Sequence, residues 1–242
     1  MPNTAISFEE FVSTTGPRFQ STSEYAAHAL REAILRGVLA QGDPLRQEEL
    51  ARNLSVSRMP VREALQILHA EGLVTFRTNH GFTVSEFRAE QIQEIAEIRF
   101  QLEGLALSKA IRHHTAETVR AANEALDALN EVENREGLEV RPQRHRAFHL
   151  ALYQPCDMDR LMTLVESNLQ LSENISRIGS SQFSFVVDRD IREHEQLLAS
   201  VRDGNVERGV KVLEAHILGQ AEDIAKKLNK IASSENTDIS EE

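Results

Sequence analysis

The chain has 242 residues, of which 40% are hydrophobic, and a formal net charge of −11 at pH 7. This length suits two domains with sizeable cores, and no apolar run approaches the ~18 residues of a membrane-spanning helix. The single cysteine, Cys156, excludes an internal disulfide and favours a reducing cytoplasm, and residues 1–20 lack the apolar stretch of a secretory signal. The acidity at first argues against a nucleic-acid partner, but the distribution of charge matters more than its total.

Residues 1–20 are predicted to form a flexible arm, and residues 21–86 a first domain that opens with a helix ending near Arg36. Between Thr22 and Val84, seven arginines balance six glutamates and one aspartate, so this domain is neutral and the acidity lies elsewhere. A neutral domain whose arginines gather on one helix can bind phosphate, and an acidic partner domain stays away from DNA.

Residues 54–84 predict the second part of a helix-turn-helix followed by a hairpin. A short helix is predicted just before them, and Ser57 is placed as the N-cap of the next one. That next helix has two faces, an apolar one with Val61, Ala64, Leu65 and Leu68 and a polar one with Arg58, Arg62 and Gln66. Two strands around the turn at residues 78–81 complete a winged helix, and the polar face suits a DNA major groove.

Residues 25–84 resemble the DNA-binding domain of GntR-family transcription regulators. The family motif V-S-R-x-P-V-R-E-A-L, followed by G-L-V and a glycine-tipped wing, is matched from residue 56 onward. The resemblance implies that Ser57, Arg58 and Arg62 contact double-stranded DNA from the second helix, and that His80 and Gly81 do so from the wing. It also implies a homodimer on a pseudo-palindromic operator.

The chain departs from the family at one DNA-facing position. Several family members place an arginine near the start of the helix before the reading helix, whereas this chain has Gln47, Glu48 and Glu49 there. We therefore expect the base preference to differ from that of those members.

Residues 87–230 carry helical periodicity throughout and predict a second, all-helical domain. Its helices are expected near residues 89–113, 116–132, 141–153, 158–178, 187–201 and 206–228. Residues 231–242 are expected to form a disordered acidic tail. The predicted fold class is mainly α, an N-terminal winged helix-turn-helix plus a C-terminal six-helix antiparallel bundle.

Four of the nine histidines lie on bundle helices in positions that could meet. His145 and His149 are four residues apart on the third helix and share one face, and His194 and His216 are central on the fifth and sixth. Converging imidazoles in a bundle interior suit a divalent transition metal. On spacing alone, four separate hydrogen-bonded histidines, in the core or on the surface, remain the favoured interpretation.

Residues 89–228 resemble the FCD ligand-binding domain of the FadR subgroup of GntR regulators. That domain carries D-x-x-x-H on one helix, then E-H and a late H on two later helices, and His149, Glu193-His194 and His216 match in order. The resemblance implies that His145, His149, His194 and His216 ligate a metal, although His145 stands where the family has aspartate. Nitrogen-rich ligation favours Zn or Ni.

The replacement of an aspartate by His145 changes the charge of this predicted site. Four neutral imidazoles leave the full +2 of the metal, which should favour an anionic effector such as a small carboxylate metabolite. Arg99, four residues before Glu103, has two interpretations, a surface ion pair or the arginine that in the family points into the ligand cavity.

The leading functional prediction is a cytoplasmic, metabolite-responsive transcription regulator, usually a repressor in this family, and not an enzyme. One alternative keeps DNA binding but makes the metal the signal. Another is a four-histidine metalloenzyme, against which no acid or base partner is placed by motif beside the histidines.

Overall fold

The chain divides into two units, Met1–Phe87 and Arg88–Glu242. The computed structural model describes residues 7–13, 21–131, 135–180 and 187–238 of the chain. Among these described residues, no helix is both long enough and apolar enough to cross a membrane.

The N-terminal unit is a winged helix-turn-helix, as the sequence predicts. Its elements are α1 (Phe8–Ser13), α2 (Thr22–Leu35), α3 (Gln47–Asn53), α4 (Arg58–Ala70), β1 (Val74–Arg77) and β2 (Gly81–Val84). The strands pair antiparallel, with Val74 opposite Val84 and Arg77 opposite Gly81. Asn79 and Gly81 take positive φ angles of 70° and 78°, which asparagine and glycine tolerate best, so the tight turn at the wing tip has a local cause.

The core of this unit forms between α2 and α4. Leu30 and Ile34 of α2 and Leu65 and Leu68 of α4 are buried, because each helix repeats apolar residues on one face. The guanidinium of Arg31 on α2 donates to both carboxylate oxygens of Glu71, at 2.8 and 2.6 Å, just after α4. This packing fixes the buried face of α4 and leaves its opposite face to solvent.

The C-terminal unit contains the six helices that the sequence predicts. They are α5 (Ala89–His113), α6 (Ala116–Asn130), α7 (Arg135–Tyr153), α8 (Asp159–Ser180), α9 (Val187–Arg202) and α10 (Val206–Asp238), with a 3-10 turn at Gln154–Cys156. The helix α5 packs against α7, α8, α9 and α10, so side chains from four helices can meet around it.

A close approach of α10 to α5 and α9 is set by Gly209. A Cβ at this position would lie 2.7 Å from Cδ1 of Ile111 on α5 and 3.4 Å from Cβ of Ser200 on α9. Only glycine permits this spacing without a shift of those neighbours. Two turns further along α10, His216 is therefore carried into the bundle interior, where it is fully buried.

Three segments differ from the sequence predictions. Within the predicted flexible arm, residues 8–13 form α1, which buries Phe11 and Val12, whereas residues 1–6 and 14–20 lie outside the described part. The helix α7 begins at Arg135 and contains Pro142 instead of starting beside it. The helix α10 continues to Asp238, so most of the expected disordered tail is helical, and residues 239–242 are outside the described part.

Candidate metal centre and DNA-binding surface

The four predicted histidines come together in the bundle. His145 and His149 extend from α7, His194 from α9 and His216 from α10, and one ligand nitrogen from each lies within 4.8 Å of the others. All six distances between their ring centroids fall between 4.5 and 5.5 Å. The structure thus brings the four histidines into one cluster.

The spacing of the nitrogens fits a shared ion. Nε2 of His145 lies 3.3 Å from Nε2 of His216 and 3.3 Å from Nε2 of His149. Two nitrogens bound to one zinc at ~2.0–2.1 Å, at a tetrahedral angle, are separated by about 3.3 Å. Three of the four donor nitrogens therefore have a spacing that a shared transition metal could use.

Buried nitrogen atoms without a hydrogen-bond partner are a second indication that the cluster could hold a metal. Both ring nitrogens of His194 are buried without a hydrogen-bond partner. An unpaired buried donor or acceptor costs roughly 1–3 kcal/mol, and a bound ion would satisfy one of these nitrogens. The histidine cluster could thus hold a metal, and its chemistry favours Zn, Ni, Co or Cu over Mg or Ca.

Hydrogen bonds behind the cluster orient two of the rings. The Tyr153 hydroxyl donates to Oε2 of Glu103 at 2.8 Å and so accepts from Nδ1–H of His149 at 2.9 Å. Nδ1 of His216 lies 2.9 Å from Oε2 of Glu193, to which it donates. Both rings consequently present the lone pair of Nε2 to the cluster, as metal-ligating histidines do when a carboxylate holds the other nitrogen.

Burial favours the neutral form of three of these imidazoles, those of His145, His149 and His194. Desolvation, followed by repulsion from the neighbouring histidines, lowers the pKa of His145 and His149 well below the usual value of 6.5. Desolvation lowers the pKa of His194 to about 2, helped by His216 and Arg141. Neutral imidazole is the ligand form, so protons compete weakly with a metal at neutral pH.

Arg99 lies beside the cluster and is not part of a surface ion pair. Its Nε donates to Glu103 at 2.8 Å and its Nη1 to Ser172 at 2.7 Å, and its side chain is 5% exposed. Nη2 of Arg99 is buried without a partner. The interpretation as a surface ion pair does not account for this buried, unpaired donor.

The pKa shifts predict how the metal-free protein responds to acid. The three histidines with lowered pKa values stay neutral in the folded state, whereas the unfolded chain protonates them as the pH falls below about 6.5. Their contribution to stability is complete above that pH and is lost below it, by up to about 4 kcal/mol per pH unit for three protons. Urea unfolding with a chelator at pH 7.5 and 5.5 measures this loss.

The matched control for this pH experiment is His145→Asn. The variant has one titrating group fewer, so its loss per pH unit should be smaller by about 1.4 kcal/mol. Identical pH dependence in both proteins would contradict the assignment of His145 as an imidazole that stays neutral in the folded protein.

On the N-terminal unit, α4 exposes the predicted DNA-reading side chains. Arg58, Arg62 and Gln66 are exposed, and Val61 and Leu65 on the other face are buried. Ser57 is the N-cap of α4, as predicted, and its backbone is extended. Its hydroxyl makes no hydrogen bond to the first turn of the helix, so the prediction that this side chain caps the helix is wrong. The hydroxyl can therefore bond to a phosphate.

The wing carries its predicted residues at the turn of the hairpin. His80 is exposed, and Gly81 is the first residue of β2 and has space around it, since a Cβ there would meet no atom within 4 Å.

An ion pair of 2.8 Å joins Nη1 of Arg58 to Oε1 of Glu48 on α3. The acidic position that departs from the family thus contacts a predicted DNA-reading arginine.

Sequence reasoning missed the residues that orient the cluster. Tyr153 is four residues after His149 on α7, a spacing that could have indicated contact. Glu103 lies on α5, and Glu193 on α9 contacts His216 on α10. Spacing along the sequence cannot predict contacts between different helices.

Comparisons with known proteins identify a family for each of the two units. Residues 22–84 match the profile of bacterial regulatory proteins of the gntR family, and residues 94–219 match the FCD domain. The solved structure of a GntR-family transcriptional regulator from Pseudomonas syringae is 32% identical and superimposes with a TM-score of 0.54, covering 94% of this chain and 96% of that one.

Two further proteins are similar over most of the chain. The structure of McbR from Escherichia coli is 25% identical with a TM-score of 0.66, covering 86% of this chain and 99% of that one. GlaR of Escherichia coli, an HTH-type transcriptional repressor, is 27% identical over 78% of this chain and 89% of its own length.

Proposed function

Because this chain belongs to the GntR family of bacterial regulatory proteins and carries an FCD domain behind its DNA-binding domain, we propose that it is a metabolite-responsive repressor whose bundle binds a divalent metal and a small carboxylate. DNA-binding transcription regulation is common to the family, and the related proteins are regulators and not enzymes. Repression is supported by the relative GlaR, which is a repressor.

The DNA-binding half of the proposal rests on the exposed face of α4 and the wing. Arg58 and Arg62, which are exposed on α4, would reach base edges in a major groove, and the hydroxyl of Ser57 would bind a phosphate. His80 and the backbone at Gly81 would contact the adjacent groove or backbone. One such unit covers half of a site, so a homodimer on a pseudo-palindromic operator follows.

The metal-binding half rests on one observation above the others, the convergence of four imidazole nitrogens within 4.8 Å in a buried site. His145, His149, His194 and His216 would hold the ion, with Zn or Ni most consistent with nitrogen ligands. When bound, a divalent ion supplies positive charge that the four neutral ligands do not cancel.

The proposed binding of a carboxylate effector rests on the charges around the histidine cluster. Arg99 and Arg141 both act on His145, and Glu103 and Glu193 bond to the network behind the rings. Because the carboxylate of Glu103 is paired with Arg99, it would do little to neutralise a bound divalent ion. A carboxylate effector would neutralise part of the charge of that ion and accept a hydrogen bond from Nη2 of Arg99, which has no partner.

Regulation then follows from linkage. An effector that binds more tightly to the conformation with low DNA affinity shifts the population toward it, by as much as its differential affinity for the two states. The cytoplasm, where DNA and metabolites are both accessible, is the proposed location.

The experiment is operator binding by fluorescence anisotropy with metal-loaded and metal-free protein, each with and without carboxylate metabolites. The operator is first found by selection from random double-stranded DNA. Release that requires both metal and a carboxylate supports the proposal. Release on metal addition alone would indicate a metal sensor, and binding that neither condition alters would contradict effector control.

A further inference from the structure

The face of α5 that points away from the bundle core carries two large apolar side chains. Ile98 and Leu105 are each 45% exposed, and because they are seven residues apart they lie on one stripe of the helix. Gln101, which lies between them on that stripe, is also exposed, whereas Arg99 and Glu103 on the inner side of α5 are buried. Exposed aliphatic side chains that share a stripe and have polar neighbours favour a contact with another protein surface.

Charged side chains flank this apolar stripe, acidic before it and basic after it. Glu94 is exposed four residues before Ile98, and Lys109 is half-buried four residues after Leu105. Neither Glu94 nor Lys109 forms an ion pair with any residue in the part of the chain that the structure describes. They are separated by about 22 Å along the helix axis, at 1.5 Å per residue, so they cannot pair with each other within one chain.

The order of these four residues is symmetric about the middle of α5. The midpoint between Ile98 and Leu105 falls between positions 101 and 102, and the midpoint between Glu94 and Lys109 falls at the same place. In an antiparallel pair of α5 helices with a two-fold axis at this midpoint, Ile98 of each subunit faces Leu105 of the partner subunit. Glu94 of each subunit then faces Lys109 of the partner subunit, so opposite charges meet at both ends of the contact.

We propose that α5 forms the centre of the homodimer interface by packing antiparallel against α5 of a second copy of this chain. This inference rests on the proposed function, which includes a homodimer, and it adds the face and the orientation of the contact. The contact would remove four aliphatic side chains from water, which favours association, and the charges would select the antiparallel register. A different protein would not require a symmetric order of residues, so the pattern favours a second copy as the occupant.

An exchange of charges tests the register, with sedimentation of the full-length protein at low salt as the measurement. Glu94→Lys alone and Lys109→Glu alone each place like charges opposite each other at both ends. Each variant should therefore raise the dissociation constant of the dimer by about tenfold or more. In an equimolar mixture of the two variants, each end of the mixed dimer joins opposite charges again, so the mixture should associate about as tightly as the wild type.

Removal of the apolar side chains tests the face itself. The double variant Ile98→Gln with Leu105→Gln should raise the dissociation constant at least about 100-fold, because four aliphatic side chains leave the contact. Helical content measured by circular dichroism should not change, since both residues are exposed and glutamine is a good helix former. Val140→Gln is the matched control, because Val140 is an aliphatic residue on α7 with a similar exposure of 42%, and this variant should dimerise as the wild type does.

Unchanged dimerisation in the double glutamine variant, or a mixture of charge variants that associates no better than either variant alone, would overturn the assignment of α5. A homodimer in those experiments would still agree with the proposed function, and only its contact face would be wrong. A wild-type protein that sediments as a monomer at micromolar concentration, with and without operator, would contradict both this inference and the homodimer of the proposed function.

Discussion

Replacing His194 or His216 with alanine should abolish stoichiometric metal binding. The wild-type protein should retain about one divalent transition metal per subunit, because four imidazole nitrogens from three helices lie within 4.8 Å of one another. Either substitution removes one ligand from a buried set and leaves the remaining ring nitrogens without the ion that satisfies them. Native mass spectrometry with elemental analysis measures the occupancy, and thermal unfolding should show a less stable bundle.

His145→Asp is the matched control for these substitutions. Aspartate is the ligand that the family resemblance places there, so this variant should keep the metal while the charge of the site falls by one. An anionic effector should then bind more weakly, and a neutral ligand nearly as well as before. Full occupancy in His194→Ala or His216→Ala would contradict the proposed ligand set.

Arg58→Ala and Arg62→Ala should each weaken operator binding by about 5- to 150-fold. A good bidentate contact between arginine and guanine contributes ~1–3 kcal/mol of discrimination, and both side chains lie on the exposed face of α4. Thermal stability should change little, since neither residue belongs to the core formed by Leu65 and Leu68. Anisotropy titrations with specific and scrambled operators measure affinity and specificity together.

Glu48→Gln tests the same surface in the opposite direction. Its carboxylate holds the Arg58 guanidinium at 2.8 Å, and both side chains are exposed, so the pair contributes little to stability. Neutralising Glu48 removes a negative charge near the DNA backbone and releases Arg58, which should strengthen binding to all sequences.

Wild-type operator affinity in both Arg58→Ala and Arg62→Ala would show that α4 is not the reading helix.

The sequence predicts those parts of the protein that follow from local periodicity. The α4 helix, the hairpin and the six bundle helices were predictable because apolar residues recur at fixed spacing and turn residues mark their ends. His145 and His149 share a face of α7 for the same reason. Their meeting with His194 and His216 depends on which helices face each other, and the family resemblance, not the spacing, supplied it.

Contacts between distant residues could not be predicted. The hydrogen bond from Tyr153 to Glu103 spans 50 positions, and the one from His216 to Glu193 joins α10 to α9. The short helix α1 was missed because six residues are marginal as an isolated helix and depend on packing. Here α1 packs against α2 and α3, and the guanidinium of Arg36 lies 5.8 Å from the ring of Phe11.

Anomalous diffraction from crystals grown with zinc or nickel tests the central claim most directly. The account predicts one strong anomalous peak per subunit, within bonding distance of His145, His149, His194 and His216, in a chain that also binds its operator. A peak elsewhere, or four histidine side chains that point apart with metal available, would contradict it.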